Sequence, residues 1–237
     1  MSVVWHDLEC GSYTLDLALW RELADRHGDP VLEIGAGTGR VALDLARAGH
    51  SVTALEREPE LIGELALRAR GTDVRPVRAD ARHFRLPARF ALCIAPMQAV
   101  QLLGGPAGRR SFLSCAHRHL TSGGILALAI ASDLAPFRAA EDAVAPLPDM
   151  RELGGVLYFS QPTAIISEAD AFVLVRRREC VGQQGGRWAA EDVIRLDRIS
   201  AQELEHEAFQ AGFALAGRRQ IAGSAEYAGS SVVIFRA

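Results

Sequence analysis

Ten residues, Val31-Leu-Glu-Ile-Gly-Ala-Gly-Thr-Gly-Arg40, constrain this chain more than any other stretch. A short apolar run of strand character stops abruptly at Gly35, Gly37 and Gly39, and a helix-like segment, Arg40–Ala48, follows and ends at Gly49. A strand that passes straight into a helix needs backbone without a Cβ, both for the tight turn and for the close approach of a ligand. The spacing is G-x-G-x-G with an acid, Glu33, two positions before the first glycine, whereas dinucleotide folds usually show G-x-G-x-x-G. Alone, the loop fits a plain turn as well as a ligand cradle.

The flanking sequence repeats the alternation. Leu15–Arg26 has apolar residues on one side and Arg, Glu and Asp on the other, as a surface helix does. Ser51–Leu55 reads as a strand, and Pro59 opens a helix over Glu60–Arg70. Strands follow at Asp73–Ala79 and Phe90–Ala95, then a helix at Arg110–Leu120 and a strand at Ile125–Ala131, apolar throughout as a strand buried on both faces must be. Strand and helix in turn, joined by short glycine-rich links, predict an α/β fold with a doubly wound, Rossmann-like, mostly parallel sheet. After Asp133 the character changes. Pro136, Pro146 and Pro148 make 133–153 read as loop with short helix, and Gly155–Ile199 reads as an antiparallel insertion of strand-like runs. Ser200-Ala-Gln-Glu203 is a capping box that starts a helix to about Ala211, and Phe213–Arg219 and Ser231–Phe235 close the chain as strands. We expect one domain over 1–237, with 133–199 as loop plus β-rich insertion.

Composition excludes several classes. Of 237 residues, 49% are apolar and 23% charged, enough material for a core and too apolar for disorder. Twenty-six basic against 29 acidic residues leave a net charge of −3, the wrong sign for coating duplex nucleic acid. Every Lys+Arg residue is arginine, which removes a P-loop lysine and any Schiff-base lysine. The chain has no Asn. Cys10, Cys93, Cys115 and Cys180 are widely spaced, a pattern of reduced thiols and not of a zinc site. With no apolar run long enough to span a bilayer, a cytoplasmic protein without membrane contact is expected.

Three further points lie at predicted strand ends, where open α/β sheets bind their ligands. Glu56 ends the second strand 21 residues after Gly35, placed to accept both hydrogens of a ribose diol; a surface acid is the plain alternative. Asp80 ends the third and is placed to reach an adenine amino group. The fourth ends in Ala95-Pro-Met-Gln98. Among the histidines, His27, His50, His117 and His119 lie near predicted helix C-termini and His206 within a polar helix, all structural positions. His6, and less so His83, are more open. His6, Gln98 and Tyr227 are the weak catalytic candidates. Arg176-Arg-Arg178 reads as a solvated strand whose middle residue faces away from its neighbours. Trp5 and Trp20 read as packing anchors.

In this order the motifs resemble the class I S-adenosylmethionine-dependent methyltransferases, especially their bacterial small-molecule branch. Glu33-Ile-Gly-Ala-Gly-Thr-Gly39 is similar to the family's first motif, Leu55-Glu56 to its second and Ala79-Asp80-Ala81 to its third. Phe90–Leu103 is similar to its fourth, and Leu120-Thr-Ser-Gly-Gly-Ile-Leu126 to its fifth. The resemblance covers Asp7–Ala131 and Ser200–Arg236, and residues 132–199 fall outside it. It implies a seven-stranded sheet with a reversed C-terminal hairpin, S-adenosyl-L-methionine as cofactor and S-adenosylhomocysteine as product. Gly35, Ala36 and Gly37 would hold the methionine portion, Glu33 its ammonium, Glu56 with Arg57 the ribose, and Asp80 with Ala81 the adenine. Ala95 and Met97 would complete the cleft, and Tyr13, ahead of the first helix, would close over it. An Asn/Asp-Pro-Pro-Tyr motif is missing and an Asp-Asn metal pair is impossible, so no metal and no nucleic-acid base are expected. The implied reaction is methylation of a small-molecule oxygen or nitrogen, with the insertion shaping the acceptor pocket or a homodimer contact. A non-catalytic partner or sensor protein that binds the cofactor is the alternative, and a nicotinamide-dependent oxidoreductase a more distant one.

Overall fold

The computed structural model describes residues 3–131, 133–139, 146–223 and 227–237. Its centre is a seven-stranded sheet: β1 (Val31–Ile34), β2 (Val52–Glu56), β3 (Val74–Arg78), β4 (Phe90–Ala95), β5 (Leu120–Ile130), β11 (Ala214–Ile221) and β12 (Ser230–Arg236). The spatial order is β11-β12-β5-β4-β1-β2-β3. β1 pairs in parallel with β2 and β4, and only β12, antiparallel to both β5 and β11, reverses direction. The predicted doubly wound sheet and reversed hairpin are therefore present. All four β1 residues are buried, as the central strand requires. One sheet face packs on α2 (Leu17–His27), α3 (Arg40–Arg47) and α4 (Pro59–Arg68) through Trp20, Leu23, Leu45 and Leu65. The other packs on α5 (Gly105–His119) and α6 (Ala201–Gln210) through Phe112, Leu113 and Leu204. Period-two alternation divides β1 between these layers, Val31 on the first and Leu32 on the second.

The insertion is a second, antiparallel sheet: β6 (Phe137–Arg138), β7 (Asp149–Leu153), β8 (Val156–Ser167), β9 (Ala171–Val181) and β10 (Arg187–Asp197). Its order is β10-β9-β8-β6, with β7 also on β8. The expected short helix in 133–153 is absent among the described residues; strands β6 and β7 stand there, recruited by pairing with β8. Both ends of the insertion are tied to one place. The buried side chain of Gln101 accepts from Ala131 N (2.7 Å) and donates to the carbonyls of Ala131 (3.1 Å) and Asp197 (2.8 Å). Asp197 Oδ2 in turn accepts from Gly105 N (2.7 Å) and from Arg109 (2.8 Å), whose guanidinium also makes a two-point pair with Glu207 on α6.

A helix that the sequence reading passed over, α1 (Val3–Cys10), lies ahead of α2. Its Glu9 meets Arg178 of β9 in a buried two-point pair (2.7 and 2.8 Å) and accepts from Ser160 of β8 (2.7 Å), while Trp5 packs against Tyr158 and Trp188. The expectation of a solvated 176–178 strand is thus corrected. Arg177 does face outward, but Arg178 is buried and Arg176 pairs with Asp149. Trp5 and Trp20 are the packing anchors expected. No helix among the described residues is long and apolar enough to cross a membrane.

Candidate functional site

The glycine loop leaves β1 through three left-handed residues, Gly35 (φ +69°), Gly37 (φ +56°) and Gly39 (φ +97°), a region that L side chains avoid. A Cβ on Gly35 would press on Ala99 Cβ at 3.0 Å, and one on Gly37 would run into the His6 ring. The loop is held open from the next strand. Glu56 Oε2 accepts from Gly37 N (2.9 Å), and Oε1 accepts from the backbone N–H groups of Arg57 (2.7 Å) and Glu58 (2.9 Å). The Arg57 side chain points away, paired with Glu58 at 3.0 Å, so only its backbone belongs to the site. Glu56, expected to be free for a ligand, is already bound on both oxygens, Oε2 to the glycine loop and Oε1 to the turn after β2, and a further partner must use their remaining lone pairs.

Glu33 lies at the base of the loop, 2% exposed, and its Oε2 has no hydrogen-bond partner. Burial pushes its carboxyl up to about 8, against the attraction of the Arg40 guanidinium. Arg40 is not available to neutralise it, being held by Asp16 in a two-point pair (2.6 and 2.8 Å) while donating to the Tyr13 carbonyl (2.8 Å). The same guanidinium lies 5.2 Å from the centre of the Tyr13 ring, and Tyr13 Oη is a second buried atom without a partner. Buried polar atoms are nearly always hydrogen-bonded. Glu33 Oε2 and Tyr13 Oη are thus two buried polar atoms left unsatisfied, Glu33 on the strand that runs into the glycine loop and Tyr13 ahead of α2. Tyr13, between α1 and α2, stacks on Tyr227 at 4.9 Å, and Tyr227 Oη meets Ser12 Oγ at 2.5 Å.

The other expected residues are placed as follows. Asp80, just beyond β3, is gripped on both oxygens by Arg82 (2.6 to 3.2 Å), and these hydrogen bonds hold its carboxyl down at about 2. Ala81 and Ala95 are buried on the α5 side of the sheet. Met97, at the tip of β4, has φ +54°. A left-handed methionine costs about 1–2 kcal/mol, and such strain concentrates where function fixes the backbone. Gln98 follows, half-buried, at the start of a 3-10 turn, Ala99–Leu102. His83 is exposed, whereas His119 accepts from Leu86 N (3.0 Å) and bonds the Cys115 carbonyl (2.8 Å), a structural pairing.

Helix α1 is the part of the site that the sequence reading missed. Thr38 Oγ1 donates to Asp7 (2.7 Å), which also takes two hydrogen bonds from Arg68. With that hydroxyl proton committed, His6 Nδ1, 3.4 Å from Thr38 Oγ1, is the donor of the contact, and Nε2 is the ring nitrogen turned to Gly37. The helix therefore roofs the loop, fixed on one side to Thr38 and on the other to the insertion. Among the described residues, no group of three His, Cys, Asp or Glu is placed to hold a metal.

Residues 31–124 match the methyltransferase domain family. Ribosomal RNA small subunit methyltransferase A of Anaeromyxobacter dehalogenans (strain 2CP-C) is 37% identical over 106 residues, 43% of this chain and 34% of that protein. The chain thus spans about a third of that curated relative. Among solved structures, the amino pentose methyltransferase CalS10 from Micromonospora echinaspora, determined with S-adenosylmethionine bound, has a TM-score of 0.71 at 20% identity, covering 99% of this chain and 97% of that one. The sugar N-methyltransferase KedS8 from Streptoalloteichus sp. has a TM-score of 0.73 at 15% identity, covering 98% and 91%. The strand order with its reversed hairpin is that of the α/β methyltransferase fold, and residues 31–124 within it match the methyltransferase domain.

Proposed function

We propose that this chain transfers the methyl group of S-adenosylmethionine to a nitrogen or oxygen of a small-molecule acceptor. The observation that carries the reading is Glu33, a buried carboxyl at the base of the glycine loop whose Oε2 has no hydrogen-bond partner. In this reading Glu33 takes the cofactor's ammonium, the Gly35-Ala36-Gly37 backbone lies along its methionine portion, and the Tyr13 hydroxyl closes on that end. Glu56 shares its carboxylate between Gly37 N and the ribose. Asp80, with Ala81, reaches the adenine once it divides its lone pairs with Arg82. Ala95 and the strained Met97 line the crevice at the β4 tip.

When bound, the cofactor supplies a methyl group already activated by its sulfonium, so the protein's work is alignment and exclusion of water. An amine acceptor needs to arrive neutral, whereas a hydroxyl acceptor gives up a proton. His6 Nε2, the ring nitrogen turned to Gly37, is the acceptor for that proton. Gln98 has an amide without a hydrogen-bond partner among the described residues and orients the acceptor. Tyr227 bounds the pocket through Tyr13. The small-molecule reading is supported by the reach of the likenesses. The ribosomal RNA methyltransferase match ends within 43% of the chain, whereas the likeness to the sugar methyltransferases runs through the insertion that covers α1. The insertion's outward face, where Val193 is 61% exposed opposite Val175, is the proposed meeting point of two copies. Incubation with S-adenosylmethionine and a panel of amino sugars, peptides and phenols, read as S-adenosylhomocysteine formed, tests the activity. Turnover supports it, and cofactor binding without product from any class returns the protein to a binding role.

A further inference from the structure

We propose that the groove between the 80–89 loop and α5 binds a compact phosphorylated anion, at a site that adjoins the proposed adenine end of the cofactor cleft through Arg82 but does not rest on the methyl-transfer reading. Between Asp80 and Asp133 the sequence contains no carboxylate side chain but six arginines: Arg82, Arg85, Arg89, Arg109, Arg110 and Arg118. In a chain of net charge −3 this is a strong segregation of positive charge. Folding brings four of the six to one groove of about 430 Å³, lined by Arg82, Arg85, Arg110 and Arg118 with Ser111 and Ser114. Arg110, Ser114 and Arg118 recur at four-residue intervals and so share one face of α5. A neighbouring groove of about 580 Å³ continues from Arg85 and Arg118 to Arg89.

Several arginines elsewhere in the molecule are neutralised by acids, as in Arg21 with Asp44, Arg68 with Asp7 and Arg195 with Asp170. Here Arg85 and Arg110 have no hydrogen-bond or ion-pair partner among the described residues, and Arg118 reaches only the sulfur of Cys115 at 3.0 Å. Arg82 gives Nε and Nη2 to Asp80 and keeps Nη1 free. Converging guanidinium groups repel one another, and a multivalent oxyanion converts that repulsion into charge-assisted, forked hydrogen bonds. The serine hydroxyls add donors of the right reach. Phosphate fits this geometry better than carboxylate because it offers oxygens on several sides to several arginines at once. A nucleic-acid strand is less well served. Of the two aromatic rings in the lining, Phe84 is 2% exposed and offers no stacking face, which leaves only the His83 imidazole, and the positive residues crowd one hollow instead of tracking a backbone.

Calorimetric titration of inorganic pyrophosphate into the intact chain at low ionic strength tests the proposal, with inorganic phosphate and a twelve-nucleotide oligouridylate as parallel arms. We expect saturable binding of one pyrophosphate, weaker binding of phosphate, and at least a tenfold loss of pyrophosphate affinity in the double variant Arg85→Glu, Arg110→Glu. Should the charge reversal unfold the chain, Arg85→Gln with Arg110→Gln gives the same reading with less repulsion. The proposal is overturned by pyrophosphate heats that do not saturate, by affinity unchanged in the folded double variant, or by oligouridylate binding more tightly than pyrophosphate and losing that binding on reversal.

Discussion

Glu33→Gln preserves the outline of a buried side chain and removes both its charge and its proton, so the role assigned to Glu33 becomes a count of protons. Burial keeps the free site's carboxyl neutral up to about pH 8. If the cofactor's ammonium is received by an ionised Glu33, binding below that pH must expel a proton. At pH 6.5 such an acid is largely protonated, and the ligand's own α-amino group, an ammonium beside a carboxylate as in a free amino acid, is already charged before it binds. The net release is then about one proton per ligand. Calorimetry of S-adenosylhomocysteine in three buffers of different ionisation enthalpy reads this number as a slope. The native chain should give about one and Glu33→Gln about zero, with affinity lowered roughly 10- to 150-fold for the loss of a charged hydrogen bond of about 1.5–3 kcal/mol. A native slope of zero, or a slope that survives in the variant, refutes the assignment. Stability supplies an independent check of sign. A carboxyl whose folded value lies above its unfolded value of about 4.3 stabilises the fold below that pH and loses the contribution as pH climbs towards 8. The ligand-free variant should therefore melt above the native chain by a margin that widens from pH 5 to pH 8, on the order of a few kcal/mol at the upper end.

Glu56→Ala removes the acceptor of three backbone N–H groups as well as the proposed ribose contact, and calorimetry should show cofactor affinity falling by about 10- to 150-fold; unchanged affinity takes Glu56 out of the site. Gly37→Ala places a Cβ in the His6 ring at a left-handed position, so circular dichroism should report a folded chain while cofactor binding is lost. Arg178→Ala strands the buried Glu9 carboxylate and should cost about 3–5 kcal/mol in urea unfolding, with early proteolytic cleavage near α1; native-like resistance would mean that other contacts hold the helix. If two copies meet through the insertion, light scattering should give twice 25.5 kDa for the native chain and a monomer for Val193→Asp.

The parts of the molecule that could be read in the sequence share one property: their determinants are local. β1 shows itself as an apolar run ended by glycines that must adopt φ values near +60° to +100°, and the α6 start by Ser200 and Glu203 capping each other three residues apart. The cofactor side of the site inherits this legibility because successive strands deliver Glu33, Glu56 and Asp80 to neighbouring tips in chain order. The opposite side has no such order. Helix α1 is eight residues long and begins with two β-branched valines, so its own sequence does little to secure it; what does is Arg178, 169 positions away from Glu9. Alternation along β9 correctly set Arg177 apart from its neighbours, but it has no means of naming the carboxylate that turns Arg178 from a solvated residue into a buried one. Gln101 and Arg109 carry no local signal for the same reason, since their partners at Asp197 and Glu207 lie 96 and 98 residues on. Even on the legible side the fine detail was non-local: the sequence reading left Glu56 free for a ligand, whereas Gly37 N already occupies one oxygen across 19 positions. A cofactor cradle built from consecutive strand tips is therefore readable one motif at a time, while an acceptor pocket built where α1 meets an inserted sheet depends on contacts that only the folded chain creates.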